Sequence, residues 1–124
     1  MEDKIIYKDL SYRIVGLAIQ VRQELGFGFL EKVYENALMI LLEENRIKAE
    51  QQIPIKVHFH NRIVGNYIAD ILVEDSIILE LKTVDFISKY EKAQTLNYLK
   101  ATGLKLAIIL NFGKEGLTHE RLVF

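Results

Sequence analysis

Two short apolar segments carry charged residues where a buried strand would ordinarily have none. Residues 67–73 read Tyr-Ile-Ala-Asp-Ile-Leu-Val, and residues 77–83 read Ile-Ile-Leu-Glu-Leu-Lys-Thr. Both have the β-branched, apolar make-up of strands covered on both faces. Asp70, Glu80 and Lys82 lie inside them. Because an unpaired buried charge is costly, these residues are expected to pair with one another or to hold a metal ion. The pattern therefore indicates a functional site within a sheet.

The spacing of apolar residues elsewhere predicts an α/β fold. The spacing is helical over residues 10–25 and about 29–45, and it alternates over 47–84. It is helical again over 87–102, before an apolar strand at 106–110. Pro54 indicates an edge or bulged strand. The expected elements are helices over 10–25, about 29–45 and 87–102, and strands over 47–60, 63–74, 77–84, 106–110 and 119–124. This order, ααβββαβ(β), predicts a single domain over 1–124 with a mixed central sheet flanked by helices.

Composition narrows the class of protein. The chain has 124 residues and no cysteine, which excludes disulfides and thiolate metal sites. It begins Met1-Glu2-Asp3-Lys4 without an apolar run, so no signal peptide is expected. The longest apolar runs are too short to cross a membrane. We therefore expect a cytoplasmic protein with no membrane partner.

The three charged residues can share one site only in a particular register. Side chains alternate along a strand, so Glu80 and Lys82 point the same way. In an antiparallel hairpin, directly opposed residues share a face. Asp70 can oppose Glu80 or Lys82 only if the connection holds an odd number of residues, such as Glu74-Asp75-Ser76. Side chains on opposite faces would exclude the site.

If these side chains converge, their chemistry suits hydrolysis of phosphodiesters. Carboxylates are hard oxygen ligands and favour Mg²⁺ or Mn²⁺, and the backbone carbonyl of Leu81 offers another ligand. The reaction needs an activated water, a Lewis acid and neutralisation of the transition-state charge. The metal supplies the first two. Lys82 would orient or deprotonate the water, or stabilise the developing charge, while Asp70 and Glu80 act mainly as metal ligands.

Two further polar residues lie on predicted helices near this site. Glu31 stands beside the apolar stripe of the second helix and could reach the metal directly or through water. Gln94 lies in the third helix between Tyr90 and Tyr98, four residues away on either side. That face is otherwise apolar, so Gln94 is expected to be buried and hydrogen-bonded, holding Lys82 or a substrate phosphate.

In this arrangement the chain resembles the PD-(D/E)xK nuclease superfamily, and within it the small bacterial and archaeal proteins named for the motif GxxExxY. The matching segments, in order, are Gly28-Phe29-Leu30-Glu31-Lys32-Val33-Tyr34, then Asp70 with Glu80-Leu81-Lys82, then Gln94 to Tyr98, then Asn111-Phe112-Gly113. One departure is Ala69, which stands where the superfamily's proline would be. The resemblance runs from Leu10 to the final strand. It implies a restriction-endonuclease-like core and metal-dependent nuclease chemistry.

The expected substrate is nucleic acid, DNA rather than RNA. Tyr98, Lys89 and Lys92 are candidate substrate-binding residues, although the lysines of this region also fit an ordinary solvated face. The net charge of −1 counts against a general nucleic-acid binder. A small core leaves little surface for gripping a duplex. A homodimer is therefore a further expectation, formed through the 47–60 strand or the helix pair.

Less specific interpretations stay open. Asp70, Glu80 and Lys82 could form a structural ion-pair cluster. Glu31 could be a first-turn charge that favours the helix dipole, and Gln94 a plain core amide. The alternative function is a catalytically silent module that binds nucleic acid or a partner protein. Mn²⁺ binding distinguishes the two functions, because only an intact acidic pocket should respond to the ion.

Overall fold

The computed structural model of the protein describes residues 6–124. In chain order these residues form α1 (Lys8–Leu25), α2 (Glu31–Glu44), β1 (Ala49–Phe59), β2 (Arg62–Val73), β3 (Ile77–Lys82), α3 (Lys89–Thr102), β4 (Leu106–Gly113) and β5 (Gly116–Val123). The order is the predicted one, and the last strand is present. The acidic N-terminal residues 1–4, on which the expectation of no signal peptide depends, lie outside the described part. Within residues 6–124, no helix has the length and hydropathy needed to cross a membrane.

The five strands form one mixed sheet in the order β1-β2-β3-β4-β5. Only β3 and β4 pair in parallel, and α3 is the crossover between them. Helices α1 and α2 pack on one face of the sheet, where Ile14, Leu38 and Leu79 belong to one core. Helix α3 packs on the other face, where Leu99 and Ile78 belong to a second core. Each residue of β4 is buried, which agrees with the interior position that its apolar sequence predicts.

The end of the sheet is longer than the sequence predicts. Strand β4 continues past residue 110 to Gly113, and β5 begins at Gly116 rather than 119. The polar Asn111 interrupts the apolar run that marks this strand in the sequence. In the fold its side chain bonds both backbone groups of Val84, accepting from the N–H at 2.9 Å and donating to the carbonyl at 2.9 Å. Because these bonds satisfy the amide, the strand can continue with Asn111 buried.

Strands β1 and β2 extend well beyond the rest of the sheet. They pair from Ala49–Val73 out to Phe59–Arg62, whereas β2 pairs with β3 only over residues 71–73. Residues 54–68 therefore form a protruding hairpin, called here the hairpin arm. Its two-residue turn has positive φ at both His60 (50°) and Asn61 (62°), the geometry that matches the twist of paired strands.

At the base of this arm, the side chains of β1 and β2 switch from one face of the sheet to the other. In β2, Ile71 belongs to the core beneath α1 and α2, whereas Ala69 belongs to the core beneath α3. Residues two apart in a regular strand would share a face. On β1, Gln52 has φ 56°, and Ile53 beyond it packs in the α3 core. Since both strands reverse at the same level, the hairpin arm lies against α3 and Asp70 occupies the point of reversal.

Tyr34, the last residue of the Gly28–Tyr34 segment, stabilises the connection between α1 and α2. Tyr34 is fully buried and its ring stacks on Phe112 with centroids 4.5 Å apart. Its hydroxyl donates to the Gly26 carbonyl at 2.6 Å and accepts from the Phe29 N–H at 3.3 Å. This tyrosine therefore has a structural role, and it positions the start of α2.

Tyr34→Phe is expected to lower the free energy of unfolding by about 1–2 kcal/mol, because the Gly26 carbonyl and the Phe29 N–H would lose their partner while the ring packing stays. Urea unfolding followed by circular dichroism measures this change. Tyr12→Phe is the matched control, since Tyr12 is 82% exposed and should be neutral. Equal stability of the Tyr34 variant and the parent protein would contradict the structural role.

Candidate active site

Strands β2 and β3 separate at the base of the hairpin arm, and the two strand carboxylates occupy the opening. The last regular pair is Ile71–Leu79, and continuing this register by one residue sets Asp70 opposite Glu80. The Asp70 N–H donates to Glu80 Oε2 at 2.9 Å. The Leu81 N–H donates to Asp70 Oδ2 at 2.8 Å. The connection is residues 74–76, an odd number, so the register is the one that a shared site requires.

Burial and mutual repulsion act on both carboxylates. Glu80 is 5% exposed, and burial together with the charge of Asp70 raises its pKa to about 8. Burial likewise raises the pKa of Asp70, although the Leu81 N–H and the charge of Lys82 oppose the effect. Two acids thus share a poorly solvated space with too little positive charge to keep both ionised. A bound cation would remove this deficit.

The donor set fits a hard divalent ion. Each carboxylate commits one oxygen to a backbone N–H, while Asp70 Oδ1 and Glu80 Oε1 accept no hydrogen bond from residues 6–124 and are not sealed from solvent. Oxygen donors of this kind suit Mg²⁺ or Mn²⁺. In that part of the chain no three His, Asp or Glu residues converge as a metal cluster. The protein thus presents a pair of carboxylates, and water and substrate would have to complete the coordination of an ion.

Lys82 lies beside the pair without being locked to it. It follows Glu80 by two residues on β3, is half-buried, and lowers the pKa of both Asp70 and Glu80 through its charge. No described residue forms an ion pair with Lys82 within 4.0 Å. A closed structural ion-pair cluster would require such a contact. The ammonium group is therefore available to a ligand at the opening.

The structure leaves Glu31 outside the carboxylate pair. Glu31 is the exposed first residue of α2. Glu35, one turn later, is buried and bonded to Gln51, whose register partner Ile71 follows Asp70 on β2. Its charge raises the pKa of both Asp70 and Glu80. The buried carboxylate of α2 beside the site is thus Glu35, which the sequence pattern did not single out.

Glu35 is held by side chains from the base of β1. It is 3% exposed, and its Oε2 accepts bonds from Gln51 at 2.7 Å, Gln52 at 3.1 Å and Lys32 at 3.2 Å. A signal for it exists in the sequence, because residue 35 falls on the buried stripe three residues before Leu38. Gln51 and Gln52 carry no comparable signal, since their role depends on the face reversal at the base of the hairpin arm.

The Gln94–Tyr98 pair lies on the α3 side of the opening. Gln94 is half-buried and hydrogen-bonded as expected, but its Nε2 donates to the Tyr98 hydroxyl at 3.0 Å rather than contacting Lys82. Burial raises the pKa of Tyr98, and the charge of Glu80 adds to the effect. Tyr98 is only 4% exposed, whereas its neighbour Tyr67, with ring centroids 5.6 Å apart, is 44% exposed.

The two other candidate substrate residues lie at the start of α3. Lys89 is its exposed first residue. Lys92 is half-buried and pairs with Glu120 of β5 at 3.7 Å, so its charge is partly committed. The helix itself begins with a capping box between Ser88 and Glu91, which fixes the backbone from which both lysines extend.

Comparisons with known proteins bear on the family and the fold of this chain. A family model of the PD-(D/E)XK nuclease superfamily matches residues 8–122. The crystal structure of SSO0001 aligns with a TM-score of 0.61 at 14% identity, covering 97% of this chain and 78% of that one. An alkaline exonuclease from Laribacter hongkongensis aligns with a TM-score of 0.46 at 14% identity, covering 98% and 72% respectively. The comparison with curated proteins finds no match. The mixed five-stranded sheet and the family match confirm the expected restriction-endonuclease-like α/β fold.

Proposed function

This chain belongs to the PD-(D/E)XK nuclease superfamily, and we propose that it is a divalent-metal-dependent nuclease that hydrolyses phosphodiester bonds of DNA. The observation that carries the proposal is the opening between β2 and β3. There Asp70 and Glu80 are each held by the backbone of the other strand, and each keeps one oxygen that accepts no hydrogen bond from residues 6–124. Lys82 stands beside them without a partner of its own among the described residues.

Asp70 Oδ1 and Glu80 Oε1 would hold Mg²⁺ or Mn²⁺, with the Leu81 carbonyl as a further candidate ligand. When bound, the ion supplies Lewis acidity toward the scissile phosphate. Lys82 orients the attacking water and offsets the negative charge that grows on the phosphate oxygens. Because the backbone bonds to Asp70 and Glu80 fix both carboxylates before substrate arrives, little reorganisation is needed during reaction.

Glu35 and Gln94 support this arrangement from either side. Glu35 adds negative charge near the pair without joining it, which strengthens the attraction for a cation. Gln94 holds the hydroxyl of Tyr98 at the α3 side of the opening. Glu31 is exposed at the start of α2 and would act through water rather than as a direct ligand.

The wider setting is also a proposal. The chain would act in the cytoplasm as one domain, and its small size favours a homodimer when the substrate is a duplex. Exposed apolar side chains at the tip of the hairpin arm, among them Phe59 and Val64, support such an assembly. The alternative function is a silent nuclease-fold module that binds nucleic acid or a partner protein. It draws support from the net charge of −1 and from the lack of a third converging carboxylate within residues 6–124.

Titration calorimetry with Mn²⁺ separates these functions. The parent protein is expected to bind the ion, and Glu80→Gln to lose most of that binding, because the amide keeps the bond from the Asp70 N–H but not the charge. Glu115→Gln, in the exposed β4–β5 turn, is the matched control and should bind as the parent does. The same samples are then incubated with labelled DNA and RNA, with Mg²⁺ or Mn²⁺ or with chelator.

Metal-dependent cleavage of DNA would support the nuclease, and preference for RNA would change its substrate. The silent module would be favoured if the parent protein binds no Mn²⁺, either alone or with an uncleavable phosphorothioate oligonucleotide.

A further inference from the structure

We propose that the groove between the hairpin arm and α3 binds an unpaired nucleic-acid strand and leads it to the carboxylate pair. The proposal rests on the proposed nuclease function and specifies the form of its substrate. The groove has a volume of about 450 Å³. Its polar and aromatic walls are formed by Lys56, His58, Tyr67, Asn97 and Lys100.

The charge of this groove is opposite to that of the chain as a whole. Residues 51–69 contain no Asp or Glu, although the whole chain carries a net charge of −1. Lys56 comes from the hairpin arm and Lys100 from α3, so two elements supply positive charge to one cavity. Neither lysine forms an ion pair within the part of the chain that the structure describes. Both charges are therefore available to phosphates, and acidic surfaces elsewhere would direct a polyanion to this place.

Tyr67 offers a stacking surface within the same groove. It is 44% exposed, and it pairs with Ile55 across the hairpin arm, so its backbone position is fixed. On one side its ring contacts the buried ring of Tyr98. A half-exposed, supported aromatic ring in a groove lined by two lysines without ion pairs among residues 6–124 is a combination that binds single strands without regard to sequence.

The size of the groove favours one strand over two. Cavities of this volume hold a ligand the size of one nucleotide or a little more. A duplex keeps its bases stacked inside and could present only its outer phosphates to such a groove. The cavity also adjoins the site along β2, because Tyr67 lines it and lies three residues before Asp70 on the same strand. A strand lying on Tyr67 would thus place a neighbouring phosphodiester close to the carboxylate pair.

The test is fluorescence anisotropy with an end-labelled oligothymidylate and a matched blunt duplex, in chelator so that no cleavage occurs. The parent protein should bind the single strand more tightly. The double variant Lys56→Ala/Lys100→Ala should weaken that binding roughly tenfold and lower the log–log salt slope by about 1.4, from two lost phosphate contacts. Tyr67→Leu should weaken it by roughly 5- to 100-fold, whereas Tyr67→Phe keeps the ring and should bind normally.

The matched control is Lys8→Ala/Arg13→Ala, which removes the same charge from α1 on the opposite face of the sheet. Melting curves verify that each variant is folded. The proposal is overturned if both double variants weaken binding equally, if the Tyr67 variants bind alike, or if the duplex binds as tightly as the single strand. Binding that depends on the groove, without cleavage in Mg²⁺ or Mn²⁺, would refute the nuclease function but not the groove. Cleavage at the parental rate in the groove variants would refute the role of the groove but not the nuclease function.

Discussion

Asp70→Asn is expected to abolish metal-dependent cleavage while leaving the fold intact. The asparagine oxygen can still accept the bond from the Leu81 N–H, so the β2–β3 opening keeps its geometry. What is lost is the negative charge that would hold the ion. Lys82→Met keeps the length of the side chain and removes only the ammonium group. Its expected loss in turnover is roughly 10²–10³-fold, the magnitude found when one group that stabilises transition-state charge is removed.

Initial rates on a labelled DNA substrate in Mg²⁺ and in Mn²⁺ measure both effects. Asp85→Asn and Lys105→Met are suitable controls, because they make the same chemical changes at exposed positions outside the strand pair. Thermal melting should show all four variants folded. Cleavage at the parental rate in either site variant would remove that residue from the mechanism. Loss of activity in the controls would point instead to a general effect of charge.

The second large effect concerns stability and pH in the metal-free protein. The pKa of Glu80 is raised from its ordinary value of 4.5 to about 8. Between these pH values the native state keeps a proton that the unfolded chain has released. The unfolding free energy therefore decreases as pH rises through this window, by at most about 1.4 kcal/mol per pH unit from this group. Below pH 4.5 the group is protonated in both states and adds no dependence.

Glu80→Gln should remove this slope. The amide oxygen can accept the bond from the Asp70 N–H, and no charge has to be buried. The variant is therefore expected to match the parent protein near pH 4.5 and to exceed it in stability by a growing margin up to pH 8. Urea unfolding at a series of pH values, with chelator present, measures the two curves. Burial also raises the pKa of Asp70. Because Asp70 is present in both proteins, the difference between their stability curves reports mainly on Glu80.

Adding Mn²⁺ supplies the internal check for this experiment. The ion binds the ionised pair, so it should restore the stability of the parent protein at high pH and leave Glu80→Gln unaffected. Glu115→Gln should follow the parent curve under both conditions. Parallel curves for the parent and Glu80→Gln would show that Glu80 is not the group whose proton is retained.

Much of the fold could be predicted because its causes are local. Alternating and helical spacing of apolar residues identifies the elements in order, and Gly26 and Gly103 mark the helix ends at which the structure has them. Asp70 and Glu80 were visible as charges inside apolar strands. Even their convergence follows from the odd length of the β2–β3 connection. Because side chains alternate along a strand, the number of residues in the connection determines whether Asp70 and Glu80 share a face.

Only the tertiary structure decided which neighbours surround this pair. Glu35 rather than Glu31 faces the site, because Gln51 and Gln52 from a strand 16–17 residues away hold it there. That contact depends on the reversal of β1 and β2, which pattern alone does not reveal.

The same reversal brings the hairpin arm onto α3. It buries the ring of Tyr98 beneath Tyr67 and exposes the latter in the groove. The sequence thus determined the elements and the charged residues of the site, through periodicity, strand alternation and the cost of burying charge. Contacts between segments distant in the chain have no such local signature, so their packing determined which side chains are exposed, paired or free.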